Sequence, residues 1–153
     1  MTETQTHTGT AGHGIAGKVV AITGAGRGIG AATARHLAAR GARVMLGSRA
    51  ERDLAATADA ITAIGGTAAY RCTDVTQPGD LRALVDLAVH RFGRLDVLTS
   101  IAGVAITAPL EPGQLEDWIA MPAEAVAETI AFAIARPAAV DIGEIIVRPT
   151  IQP

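Results

Sequence analysis

One cysteine, one lysine, one tyrosine and one tryptophan are all that this chain of 153 residues carries of those four types, and each scarcity excludes something. Cys72 by itself forms no internal disulfide and fits a reducing cytosol, and its plainest reading is a small apolar side chain. Aromatic residues make up 3%, so the core must rest on Val, Ile, Leu and Ala. A net charge of −2 gives nucleic acid or an anionic membrane no electrostatic hold, and neither is expected as a partner. No apolar run approaches the roughly 20 residues that cross a bilayer. No basic start followed by an apolar stretch marks a signal peptide, so a cytoplasmic location is expected. His7 and His13, isolated in a stretch rich in threonine and glycine, are weak metal ligands, and no metal site is expected.

What remains is a globular composition, 49% hydrophobic and 18% charged, at a length that suits one domain. Met1 to His13 alternate threonine with polar residues and glycine but place no large apolar residue on either face. They read as a disordered tail ahead of a single domain over 14–153.

Order begins near Gly17. Lys18 to Thr23 is a short apolar run bounded by glycines, as a buried parallel strand requires. Ile29, Thr33 and Leu37 then recur at helical spacing, and Gly41 stands where a helix C-cap belongs. Arg43 to Leu46 predicts a second strand. Leu54, Ala58, Ile61 and Ile64 predict one helical face, closed by Gly65 and Gly66. Ala68 to Cys72 predicts a third strand, Pro78 a helix start with Leu81, Leu84, Val85 and Ala88 buried, and Leu95 to Thr99 a fourth strand. Four strands alternating with three helices imply parallel β-α-β units with right-handed crossovers. Beyond them, Ala108 to Gly113 reads as a loop and Gln114 to Ala120 as a helical turn or two. Pro122 opens a helix with Val126, Ile130 and Ile134 on one face, ended by Pro137, and Gly143 to Arg148 reads as a last strand.

The chemistry lies in the first strand-to-helix junction, Thr23-Gly24-Ala25-Gly26-Arg27-Gly28-Ile29-Gly30. A phosphate docked there meets free backbone N–H groups and the positive end of the helix dipole. A Cβ at the glycines would block the tight turn and hold the backbone away from a pyrophosphate. A glycine-rich loop alone is weak evidence, but one that follows the first strand and opens the first helix is a dinucleotide signature. The fold class is therefore α/β, a Rossmann-type three-layer αβα sandwich with a mainly parallel sheet.

Thr23 to Gly30 resembles the cofactor loop of the short-chain dehydrogenase/reductase family. Cys72-Thr73-Asp74-Val75-Thr76 resembles the family segment whose aspartate contacts the adenine. Leu95 to Leu98 followed by Ala102-Gly103 resembles its fourth strand and Asn-Asn-Ala-Gly motif, and Val126 to Pro149 its last helix and strand. The resemblance implies hydride transfer between NADP(H) and a small carbonyl or alcohol substrate. The expected cofactor-binding residues are Thr23, Gly24, Gly26, Arg27, Gly28, Ile29, Gly30, Ser48, Arg49, Asp74, Val75, Ala102 and Gly103. An acidic residue at the end of the second strand would accept the ribose hydroxyls of NAD. Gly47-Ser48-Arg49 has none before Glu51, and Arg27 and Arg49 can both reach a 2′-phosphate, so NADP is predicted over NAD. Against this stands the plainer reading of both arginines as solvated surface charges.

The family's Tyr-x-x-x-Lys acid/base pair is missing. Tyr70 lies in the third strand and Lys18 opens the first, at the sheet end opposite the cofactor, so no catalytic residue is assigned. Ser100-Ile101-Ala102-Gly103 also puts serine and isoleucine where the family has two asparagines, and Ser100 has no partner base. The pattern is what a central deletion after Met121 would leave, resuming at Pro122 near the family's end. Such a truncated sheet is expected to place Gly143–Arg148 beside the fourth strand, in order 3-2-1-4-5; the alternative is an unpaired C-terminal strand and an exposed sheet edge, which would promote association. Two further readings stay open: a non-catalytic dinucleotide-binding module, acting as partner or decoy for full-length relatives, and a domain for another adenine cofactor. The resemblance implies homo-oligomers built through helices around the missing region, and this chain keeps little of that surface.

Overall fold

The computed structural model of the chain describes residues 14–102, 122–137, 139–140 and 142–147. Its elements run β1 (Val19–Thr23), α1 (Gly28–Ala39), β2 (Arg43–Ser48), α2 (Glu51–Ala63), β3 (Thr67–Cys72), α3 (Pro78–Phe92), β4 (Val97–Ser100) and α4 (Ala123–Ile134). All strand pairs are parallel, and the sheet has the order β3-β2-β1-β4. The Rossmann-type α/β architecture expected from the alternation is thus present, with four strands among the described residues.

Because successive side chains of a strand face opposite ways, β1 and β2 feed two separate cores. Val20, Ile22, Val44 and Leu46 face α1, α2 and α4, where they cluster with Leu37, Leu54, Ile61 and Ala131. Val19, Ala21 and Met45 face α3 and meet Leu84 and Ala88. The sheet is therefore covered on both sides, as a parallel sheet must be. Cover on the α3 side is thin near β4, and Leu98, level with Ala21, stays 45% exposed.

Glycine ends the first two helices because the chain there takes a left-handed conformation. Gly41 adopts φ +86° after α1, donates to the Ala38 carbonyl, and lets the Ala42 amide reach Leu37 O at 3.1 Å. Gly65 at φ +78° and Gly66 repeat this arrangement on Thr62 and Ile61 after α2. Both are Schellman closures, which need a left-handed residue. At the opposite edge of the sheet Asp96 ties β4 to β1. Its Oδ2 accepts the Val19 amide at 2.8 Å, while its other oxygen takes the Arg94 guanidinium.

Three expectations change. Residues 143–147 form no strand, so the predicted fifth strand beside β4 is absent and the order stops at 3-2-1-4; Arg148 lies outside the described residues. These residues follow soon after α4 ends at Ile134, and Ile145 and Ile146 are exposed. Ile29 is 38% exposed at the start of α1, whose buried side is made instead by Ala31, Ala32, Thr33, Ala34, Leu37 and Ala38. Small residues there let α4 lie close through Ala127 and Ala131. Ile64, expected inside, is the C-cap of α2 and is 61% exposed, because the chain turns away at Gly65. The tail over 1–13, the loop Ala108–Gly113 and the turns Gln114–Ala120 lie outside the described residues.

Candidate functional site

A cleft of about 960 Å³ opens at the C-terminal ends of β1, β2, β3 and β4. Such crevices form where consecutive crossovers leave a sheet in opposite directions, here between β1 and β4. Its floor is the loop from Gly24 to Arg27. Gly24 takes φ +71°, and a Cβ on it would sit 2.8 Å from the Ala102 amide nitrogen. A Cβ on Gly30 would lie 2.0 Å from the Gly24 carbonyl oxygen. A Cβ on Gly26 would touch Ser48 Oγ at 2.9 Å and Asp53 Cβ at 3.0 Å. Three glycines therefore let one loop lie against α1, α2 and the end of β4 at once. Gly28 differs, because its φ of +55° turns the chain into the helix with open space around it.

Helix α1 begins without a capping side chain, and its first turn carries no carboxylate. Each of the other described helices has one there: Glu51 and Asp53 in α2, Asp80 in α3, Glu124 in α4. An acid in the first turn stabilises a helix by about 0.3–1 kcal/mol. At α1 the amides and the positive end of the dipole are left for an outside anion. The glycine loop is thus a cradle that a Cβ would fill, ending at an uncapped helix, and its residues fit a dinucleotide diphosphate.

The walls are held by hydrogen bonds. Thr23, 1% exposed beneath the floor, accepts the Ile101 and Ala102 amides at 3.3 and 3.4 Å and donates to Ser100 Oγ at 3.4 Å. It pins the β4 end to the β1 end and does not itself line the cleft. The Ala25 amide bonds Gly47 O at 3.1 Å, and the Thr73 amide bonds Ser48 O at 2.8 Å, so the ends of β2 and β3 are stitched to the loop. Beyond β3, Asp74 Oδ1 accepts both the amide (3.0 Å) and the hydroxyl (2.8 Å) of Thr76. The Thr76 amide, then its hydroxyl, hold the Asp74 carboxyl below the ordinary carboxylate range; burial opposes this weakly and Arg49 adds to it. Asp74 is therefore a fixed anion whose second oxygen is free to accept a hydrogen bond. Asp80, from the first turn of α3, fixes the same loop by accepting the Asp74 amide at 3.0 Å.

Ten of the sequence-predicted residues meet in this cleft: Gly24, Gly26, Arg27, Ile29, Gly30, Ser48, Arg49, Asp74, Val75 and Ala102. Thr23 and Gly28 shape it from below and from the helix start, and Gly103 lies outside the described residues. Ile29, exposed against expectation, is one wall. Tyr70 and Lys18 stand apart, one on edge strand β3 and one before β1.

Sequence reasoning missed Asp53, Thr73, Thr76, Ala50 and Ile101, which also line the cleft. Asp53 matters most. Its Oδ2 receives the Arg27 guanidinium at 2.9 Å, where Glu51, nearer in sequence to β2, does not reach. The signal was an i, i+4 pair, Asp53 and Thr57, on the α2 face that meets the glycine loop. The Thr57 hydroxyl lies 3.0 Å from Asp53 O and 3.4 Å from Gly26 O.

Comparison with known proteins agrees with this geometry. The family model described as short chain dehydrogenase matches residues 18–136. An oxidoreductase of Listeria monocytogenes is 39% identical over 104 residues, which are 68% of this chain and 42% of that protein. The crystal structure of carveol dehydrogenase from Mycobacterium avium in complex with NAD superposes with a TM-score of 0.57 at 32% identity, covering 61% of this chain and 38% of that one. An F189W actinorhodin polyketide ketoreductase with NADPH gives 0.55 at 38% identity, covering 57% and 33%. The chain thus spans about two fifths of the length of the relatives it matches.

Proposed function

The chain belongs to the short-chain dehydrogenase family, and on that premise we propose that it is the cofactor-binding part of an NADP-dependent oxidoreductase, without an acid/base pair of its own. The observation that carries the reading is the glycine cradle closed on an uncapped, acid-free helix start. In this reading the amides of Arg27 to Gly30 hold the diphosphate. Asp74 and Val75 bound the adenine, and Asp74 accepts from its amino group. Ser48, Arg49 and Arg27 surround the ribose 2′ position at the end of β2, where two guanidinium groups favour a phosphate over a hydroxyl. Thr23 positions the Ala102 backbone, which bounds the cleft on its β4 side.

The bound dinucleotide would supply the hydride donor or acceptor for a small carbonyl or alcohol. This chain's residues bind and orient that group, but no side chain among them moves a proton to a substrate oxygen. Family members do this with a tyrosine followed four residues on by lysine, and no such pair exists in the sequence. That absence also favours a second reading, a dinucleotide-binding module that turns nothing over. A cytoplasmic location and self-association fit the same reading; among the described residues no helix is long and apolar enough to cross a membrane.

Calorimetric titration with NADP+ and NAD+, beside a turnover assay over a panel of ketones and aldehydes with NADPH, tests this. Expected are saturable binding, at least about tenfold tighter for NADP+, and no turnover. Equal affinity for the two dinucleotides defeats the NADP assignment, and stereospecific hydride transfer defeats the claim of impaired catalysis.

A further inference from the structure

The geometry points to Asp53 as the residue that sets how strongly this site prefers a 2′-phosphate, by holding one of its two arginines. The inference rests on the reading that Arg27 faces the ribose 2′ position, and adds a residue which that reading does not contain. Arg27 and Asp53 form an ion pair of 2.9 Å at the mouth of the cleft, with the Arg27 side chain 84% exposed and that of Asp53 32% exposed. The carboxylate cannot withdraw with its helix. Its Cβ stands 3.0 Å from where a Gly26 Cβ would be, and Thr57 bridges α2 to the Gly26 carbonyl. Glu51 already supplies the first turn of α2 with an acid, so the helix has no need of Asp53 for its dipole.

Two consequences follow for a dinucleotide. A 2′-phosphate must share Arg27 with a carboxylate or displace it, and it meets a like charge in doing so. A ribose 2′-hydroxyl meets no repulsion and finds an acceptor. Asp53 thus weakens the phosphorylated ligand without weakening the other, and the discrimination left in the wild-type chain comes from Arg49 and the shared Arg27. Solvent exposure keeps the effect modest, about three- to tenfold rather than many hundredfold.

The test is calorimetric titration of the full chain with NADP+ and with NAD+ at low ionic strength, for wild type, Asp53→Asn, Asp53→Ser and Asp53→Glu. Both uncharged variants should bind NADP+ about three- to tenfold tighter while NAD+ affinity stays level or falls. Asp53→Glu, which keeps the charge, should keep the wild-type ratio. A purely structural role for Asp53 would weaken both ligands together and leave the ratio alone, and that result overturns the inference. A wild-type chain with no preference for NADP+ removes the reading of Arg27 and this inference with it. A wild-type preference that neither uncharged variant increases removes the inference alone. Two uncharged variants are used so that the poor folding of one still leaves the ratio measurable in the other.

Discussion

Replacing Gly30 by alanine sets two opposed effects of known size against each other at the site itself. Gly30 is the third residue of α1, and in an open helix Gly→Ala stabilises by about 1 kcal/mol. Here the new Cβ would fall 2.0 Å from Gly24 O, 2.6 Å from Gly24 C and 3.0 Å from Ala25 Cα. Real Cβ atoms keep 3.0 Å or more, so the loop must retreat by at least about 1 Å. It has nowhere to go, because Gly24 is already wedged against the Ala102 and Ile101 backbone of the β4 end, and all the obstructing atoms are main chain. Overpacking of this kind costs about 1–3 kcal/mol, which outweighs the helical gain. The loss of urea stability should be about 1–2 kcal/mol, and affinity for NADP+ should fall more than about tenfold, since the displaced loop leads into the amides proposed to grip the diphosphate. Gly79→Ala in the first turn of α3 is the control. Nothing lies within 4 Å of its Cβ position and its φ is ordinary, so it should stabilise by up to about 1 kcal/mol and leave binding alone. Urea unfolding and calorimetry on both variants decide the matter. A Gly30→Ala chain that unfolds no earlier than wild type and binds NADP+ within roughly twofold would show the loop is not packed as described.

Other perturbations read other parts of the structure. Arg49→Ala should weaken NADP+ about tenfold and NAD+ much less, by titration of each, because in the proposed reading its guanidinium faces the ribose 2′ position. Burial pushes the Asp96 carboxyl up, but the Val19 amide, Arg94 and Lys18 together outweigh it and leave it below its ordinary value. A carboxyl lowered on folding stabilises fully above its unfolded pKa of about 3.9 and loses that contribution as pH falls through the lower folded value. Asp96→Asn should therefore lower the urea midpoint at pH 7 and flatten its fall between pH 5 and 2, whereas an acid limb as steep as in wild type would remove Asp96 from the cause. Leu84→Ala, at a fully buried position against Gly47, should cost about 2–5 kcal/mol in urea unfolding. A loss under about 1 kcal/mol there would mean that α3 is loosely held.

Much of this was legible in the residues because local rules and the global fold agreed. Lys18–Thr23, Arg43–Leu46 and their helices were readable since a buried parallel strand is a short apolar run and glycine punctuates each helix end. The cleft was readable since its chemistry is carried by backbone, and glycines at fixed offsets announce backbone. The failures share a cause as well. Ile29 and Ile64 were placed by helical period alone, while the real buried side of α1 is chosen by how closely α4 approaches through alanines. Gly143–Arg148 has strand composition, but a strand needs a neighbour with free hydrogen-bonding groups in reach, and local pattern carries no such information. Asp53 was not legible because it lies past the end of β2, inside α2. Its meeting with Arg27, 26 residues away, is a product of the loop's fit against α2.

The main-chain amides at the start of α1 can be watched directly. In a 15N-labelled chain titrated with NADP+, the amide resonances of Gly24 to Gly30 should shift first and furthest and saturate together, followed by those around Ser48, Arg49 and Asp74. Adenosine-free nicotinamide mononucleotide should leave the Ser48, Arg49 and Asp74 signals in place. If the glycine-loop amides stay put while NADP+ is added to saturation, or shifts gather elsewhere on the surface, the anion is not held at the start of α1.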